Sequence, residues 1–105
     1  MKAKDYIEKY KEIKAKKGID IALYKTFKGL ILEVGEIMKA RGVKKDNAML
    51  SVIREVEQKS FSVVRLLNEL PEFQEQNGSV KRSAFRELMK SDAPDVYNLI
   101  DWSKI

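Results

Sequence analysis

Neither cysteine nor histidine occurs in the 105-residue chain, and the two absences close whole classes of chemistry. Without them there is no disulfide framework, no thiolate nucleophile, no Ser-His or Cys-His relay, no haem imidazole and no zinc site of the usual Cys/His type. Only carboxylate and lysine chemistry stay open, and no cofactor is implied. Proline (two) and glycine (five) are sparse, and the β-branched residues form no alternating runs, so the punctuation of an all-β chain is missing. No apolar stretch approaches the roughly eighteen residues of a membrane span, and Met1-Lys2-Ala3-Lys4-Asp5 opens without the apolar segment of a signal peptide. A cytoplasmic protein with no membrane partner is expected. Neither a Walker-type glycine loop nor a G-x-G-x-x-G motif is present, which removes support for phosphoryl transfer.

What is present suits one globular core. Apolar residues make up 44% and charged residues 35% of the chain, enough to fill a single core beneath a well-solvated surface. A chain of this length folds as one domain with a radius of gyration of roughly 13 Å, so residues 1–105 are read as a single helical domain.

Periodicity supplies the elements. Over 2–17, Tyr6, Ile7, Tyr10 and Ile13 fall at helical spacing and Gly18 offers a stop. A second helix capped by Asp20 runs to Arg41 with Leu23, Phe27, Leu30, Val34 and Ile37 at alternating steps of four and three. Tyr24, Ile31 and Met38 widen its apolar arc, which makes this helix central. Gly29 and Gly35 lie inside it, each weakening it by about 1 kcal/mol relative to alanine, so a close backbone approach or a bend is expected at both. After a short connection, Gly42-Val43-Lys44-Lys45, Asp46 caps a third helix that runs to about Leu70. Its seam is Met49, Ile53, Val56, Ser60, Val63, Leu67 and Leu70, flanked by Val52, Phe61 and Val64. Pro71 ends it, and Asn77-Gly78 marks a turn in the following loop. Ser79 caps a fourth helix that turns Val80, Ala84, Phe85, Leu88 and Met89 inward, and a short last helix starts near Asp92-Ala93-Pro94-Asp95 with Asp92 as its cap. The predicted fold is all-α, a small bundle or orthogonal domain of four to five helices around an antiparallel hairpin of the second and third. Helices of 22 to 25 residues, roughly 33 to 37 Å long, match or exceed the expected diameter, so a homodimer through the second and third helices is expected.

The net charge of +5 is uneven. Residues 1–17 hold seven lysines against Asp5, Glu8 and Glu12, and the four-residue spacing of Asp5/Lys9 and Glu12/Lys16 predicts a solvated, self-neutralised face. In the fourth helix Arg82, Arg86 and Lys90 follow at steps of four with Lys81 beside them, a one-signed ridge suited to phosphates. A helix-turn-helix does not fit. The third helix is long for a recognition helix and committed to a seam, and the loop from Pro71 to Gly78 exceeds the usual turn.

Glu33, Glu36, Glu55 and Glu57 raise a metal-binding, nucleotide-hydrolysing bundle as an outside reading. They lie between the apolar rows or beside Gln58 and Lys59, which predicts solvated acids. The Ser60 hydroxyl is expected to bond a carbonyl one turn back or to mark a close helix crossing, and Trp102 to act as a core lid. The sequence thus predicts a non-enzymatic binding or regulatory protein that contacts nucleic acid or a nucleoprotein assembly through Lys81, Arg82, Arg86 and Lys90. The competing expectation is a protein-interaction module, an adaptor or inhibitor with no nucleic-acid contact.

Overall fold

Long apolar stripes at helical spacing can leave water only by facing one another. The computed structural model, which describes residues 1–42, 47–74 and 78–105, shows how they do so. Its elements are α1 (Ala3–Lys17), α2 (Ile19–Arg41), α3 (Asn47–Asn68), α4 (Pro71–Gln74), α5 (Ala84–Asp92), α6 (Pro94–Asn98) and a closing 3₁₀ turn over Trp102–Lys104, with no strand among the described residues. The chain is a small all-α bundle. Helices α2 and α3 pair, α1 packs against both, α5 lies on α2, and α6 follows along α5.

The seams fill the core as their spacing requires. Phe27, Leu30 and Val34 of α2 and Met49, Ile53, Val56, Val63 and Leu67 of α3 are buried, joined by Tyr6, Ile7 and Tyr10 of α1 and by Phe85, Met89 and Ile100 beyond. Burying each such aliphatic or aromatic side chain contributes about 1.5–3 kcal/mol. Of the row expected to widen the α2 arc, Ile31 and Met38 are half-buried against the core and Tyr24 is exposed; Ala22 and Thr26 are buried instead, the Thr26 hydroxyl donating to the Ala22 carbonyl at 2.7 Å. Ser60 is fully buried in the α3 seam, but its hydroxyl makes none of the expected back-bond to a carbonyl.

Helix ends depart from the sequence expectations in ways that have local causes. Gly18 (φ 90°) forms both the end of α1 and the start of α2, which puts Asp20 inside the first turn instead of at the cap. Gly42 closes α2 in the left-handed region (φ 64°), where a residue without Cβ has no steric cost. The expected cap Asp46, the connection 43–45 and Asn77 lie outside the described residues. Pro71 does more than end α3 at Asn68: its fixed φ suits a first helical position, and it opens α4. That turn buries Phe73 against Tyr10, with ring centroids 5.9 Å apart. Asp92 ends α5 and does not cap the next helix; Ala93 stands at that position and Pro94 leads α6.

The long helices are accommodated by shape. The chain measures 41 × 25 × 20 Å with a radius of gyration of 14.1 Å, so α2, 23 residues and about 34 Å long, fits along the longest axis.

The two glycines of α2 behave differently. A Cβ on Gly29 would stand 3.0 Å from Tyr6 Cε1, so α1 and α2 approach closely there, whereas nothing lies within 4 Å of the same position at Gly35. Gly35 therefore has no packing role among the described residues. Gly35→Ala is expected to stabilise the protein by about 0.5–1 kcal/mol through helix propensity alone. Gly29→Ala is expected to destabilise it by about 1 kcal/mol or more, because overpacking outweighs the same gain. Urea unfolding of the two variants checks the opposite signs.

Candidate nucleic-acid interface

The predicted ridge begins one turn before its helix does. Asn68, at the end of α3, binds the backbone of Val80 on both sides: the Val80 N–H donates to its Oδ1 at 2.7 Å, and its Nδ2 donates to the Val80 carbonyl at 3.1 Å. Asn68 thus satisfies both Val80 backbone groups outside any helix. Helix α5 starts at Ala84 with Ser83 at the N-cap. Ser79 is no cap, and Lys81 and Arg82 lie in the lead-in turn, both exposed.

The structure brings together three of the four predicted residues and adds partners to each. The Arg82 guanidinium carbon lies 4.0 Å from the centroid of Phe61, Arg86 lies 4.6 Å from Trp102, and the Lys90 ammonium lies 6.0 Å from Tyr97. Tyr97 and Trp102 stack with centroids 5.1 Å apart, and Trp102 Nε1 donates to the Tyr97 carbonyl at 3.1 Å. A row of cations thus runs against a row of half-buried rings. Arg54 of α3, which donates to the Lys104 carbonyl, lines the same hollow as Phe61, Arg86 and Ile105. Lys81 is elsewhere. It lines a cleft with Leu23, Phe27, Ala84 and Leu88 on the α2 side of α5.

Arg86 is not a free cation. Its Nε and Nη2 donate to the two carboxylate oxygens of Glu57 at 2.5 and 2.8 Å, and the Glu57 side chain is only 5% exposed. This corrects the expectation of a solvated Glu57 on a polar arc. The bonds to Glu57 raise the Arg86 pKa further above its ordinary value. Charge reversal at Arg86 would set a second carboxylate beside a buried one, so its position off the apolar row does not make it a neutral place to substitute.

Glu33 is likewise held, not solvated. Burial alone would raise its pKa, but Lys59 and Tyr6, which donate to its two oxygens, outweigh that and hold it below the usual value. Glu72 is held low in the same way by Lys14 at 2.6 Å and by Tyr10, whose hydroxyl donates at 3.0 Å. Burial, followed by the carboxylate each phenol serves, raises both tyrosines above the ordinary phenol. Asp92 accepts from Tyr24 at 2.6 Å and faces Lys28. Of the remaining acids, Glu55 pairs with Arg41 at 3.2 Å and Glu36 is exposed. Among the described residues no three acids converge as a metal site would need.

Sequence reasoning missed Arg54, Phe61, Tyr97 and Trp102 as neighbours of the ridge. Arg54 and Phe61 share one face of α3 at a spacing of seven, a signal the sequence carried; the folding back of residues 97–105 had none. Comparison with protein-family models, with curated proteins and with solved structures finds no match.

The held carboxylates give a sign for pH. Glu33 and Glu72 titrate below their ordinary 4.5 when folded. Their contribution is therefore complete above that value and is lost as pH falls through the lower folded values. Stability is expected to fall between about pH 5 and 3, and Glu33→Gln and Glu72→Gln are each expected to flatten that fall. Urea midpoints measured across this range test it, and variants as acid-sensitive as the parent would refute it.

Proposed function

We propose that this chain is a small non-enzymatic binding protein that contacts nucleic acid, alone or within a nucleoprotein assembly, through the face where α5, the C-terminal turn and α3 meet. The observation that carries the reading is the interleaving of Arg82, Arg86 and Lys90 with Phe61, Trp102 and Tyr97. Cations beside ring faces match what unpaired nucleic acid offers, phosphates and stackable bases. A guanidinium stacked on a ring keeps its N–H edge free for an oxyanion. Arg82 and Lys90, exposed and without an ion pair among the described residues, would meet phosphates directly, with Arg54 at the border. Arg86 acts as a positioning residue that ties α5 and Trp102 to Glu57. Lys81, in the cleft on the α2 side of α5, is left out of the face. A regulatory role follows from occupying nucleic acid without chemistry.

The homodimer is part of the same proposal but narrows to α2. Its exposed large apolar side chains are Ile21 (44%), Tyr24 (42%) and Leu32 (59%), of which Ile21 and Leu32 share one side of the helix, whereas α3 contributes no exposed large apolar residue among those described. Light scattering at high micromolar concentration is expected to show a dimer that Leu32→Lys dissociates; a monomeric parent protein removes the idea. The competing adaptor reading rests on the same two residues.

For nucleic acid, three phosphate contacts on a single strand predict a log–log salt slope of about −2.1, at roughly 0.7 per contact. Arg82→Glu and Lys90→Glu are each expected to lower that slope by close to one contact and, as each also removes a cation from an exposed ring pair, to cost about 1 kcal/mol of stability at most. A fluorescence titration with a homopolymeric DNA strand at several salt concentrations reads the slope. No salt-sensitive binding at low ionic strength would give the adaptor reading its place.

A further inference from the structure

The lysines of α1 were expected to be neutralised by acids four residues away, and the structure shows otherwise. The Asp5 carboxylate turns back to accept the Lys2 backbone N–H at 2.9 Å and so does not serve Lys9. Lys14, Lys28, Lys59 and Lys104 each have a carboxylate within ion-pair distance, whereas Lys9, Lys16, Lys17 and Lys25 have none among the described residues and are exposed.

These four line one groove between α1 and α2. A hollow of about 330 Å³ is walled by Tyr6, Lys9, Ile13, Lys25, Gly29 and Glu33, and a second of about 280 Å³ by Glu12, Ile13, Lys16, Lys17 and Lys25. Ile13 and Lys25 border both, so the two hollows are neighbours between α1 and α2. Lys17 and Lys25 line the same hollow, and the neighbouring Lys17 lowers the Lys25 ammonium below the ordinary lysine value. The acids facing the groove do not cancel this. Glu33 is taken by Lys59 and Tyr6, Glu36 stands with it at the far end, and Glu12 is the single acid among the lysines of the second hollow.

We propose that the α1–α2 groove, lined by Lys9, Lys16, Lys17 and Lys25, is a binding site for a linear chain of phosphoryl groups. Lys9 and Lys16 are seven residues apart on α1, roughly 10 Å at helical rise, which suits several linked oxyanions better than one. The groove holds ammonium point charges and no planar arginine fork. Ammonium suits phosphoryl oxygens of any orientation, and linked phosphoryl groups carry the closely spaced charge that a row of point cations meets. No exposed ring lines the groove to stack a base, so recognition is of the anionic chain alone. The site shares no residue with the α5 face and stands or falls separately from it.

The test uses the full chain, with inorganic tripolyphosphate, a homopolymeric DNA strand and poly-glutamate as probes in calorimetric titrations at low salt. Lys17→Gln/Lys25→Gln is expected to weaken tripolyphosphate binding at least about tenfold, as the loss of two charge-assisted contacts should. Lys2→Gln/Lys4→Gln removes the same charge outside the groove and is expected to change it less than about twofold. Helical circular dichroism establishes that both variants fold. If the groove variant also loses DNA binding while Arg82→Glu does not, the natural source is a nucleic-acid backbone; if it keeps DNA binding, the source is free polyphosphate. Equal losses in the two lysine pairs, no tripolyphosphate binding, or tighter binding of poly-glutamate would each overturn the proposal.

Discussion

A carboxylate withdrawn from water must find cations and hydrogen-bond donors where it comes to rest, or lose its charge. Much of the architecture follows from how this chain meets that requirement. Glu57, in the middle of α3, is almost wholly buried and is met by the two-pronged guanidinium of Arg86, so α5 has one registration on α3. Glu33 of α2 is met at once from α1 and α3, by Tyr6 and Lys59. Glu72 of α4 is met from α1 by Tyr10 and Lys14. Apolar seams bring the helices together, and these pairs join specific residues across them.

The same arrangement separates groups that hold the fold from groups that remain free to bind. Arg86, Lys59 and Lys14 spend their charge internally, and mutating them tests folding before it tests function. Arg82, Lys90 and the lysines of the α1–α2 groove are exposed and have no carboxylate in ion-pair distance among the described residues. These cations lie on two separate surfaces, the α5 face and the α1–α2 groove. One carries rings and the other does not, which distinguishes the ligands proposed for each.

Phenols have a part here that composition alone would not assign. Tyr6 and Tyr10, one helical turn apart on α1, are buried through their rings and reach carboxylates on two different elements through their hydroxyls. A tyrosine can do both because its body is apolar and its tip polar. Gly29 completes the device: without a side chain at that position, the ring of Tyr6 lies close against α2.

The sequence by itself determined the helical class, the three long helices, the buried seams of α2 and α3 and the exclusion of thiol and imidazole chemistry. All of these follow from residue type and 3.6-residue periodicity, which are local properties. It also located a basic ridge at Arg82, Arg86 and Lys90. Tertiary structure alone decided the rest. Glu57 reads as a surface acid beside Gln58 and Lys59 until Arg86 arrives from 29 positions later to pair with it. Ser79 reads as a cap until the Asn68 amide takes the Val80 backbone. Glu12 and Lys16 read as a self-neutralised pair on one helix until the fold draws Lys25 of α2 into the same hollow. Each reversal has one physical cause: burial and pairing depend on what another segment brings to a side chain, and spacing along one helix carries no record of that segment.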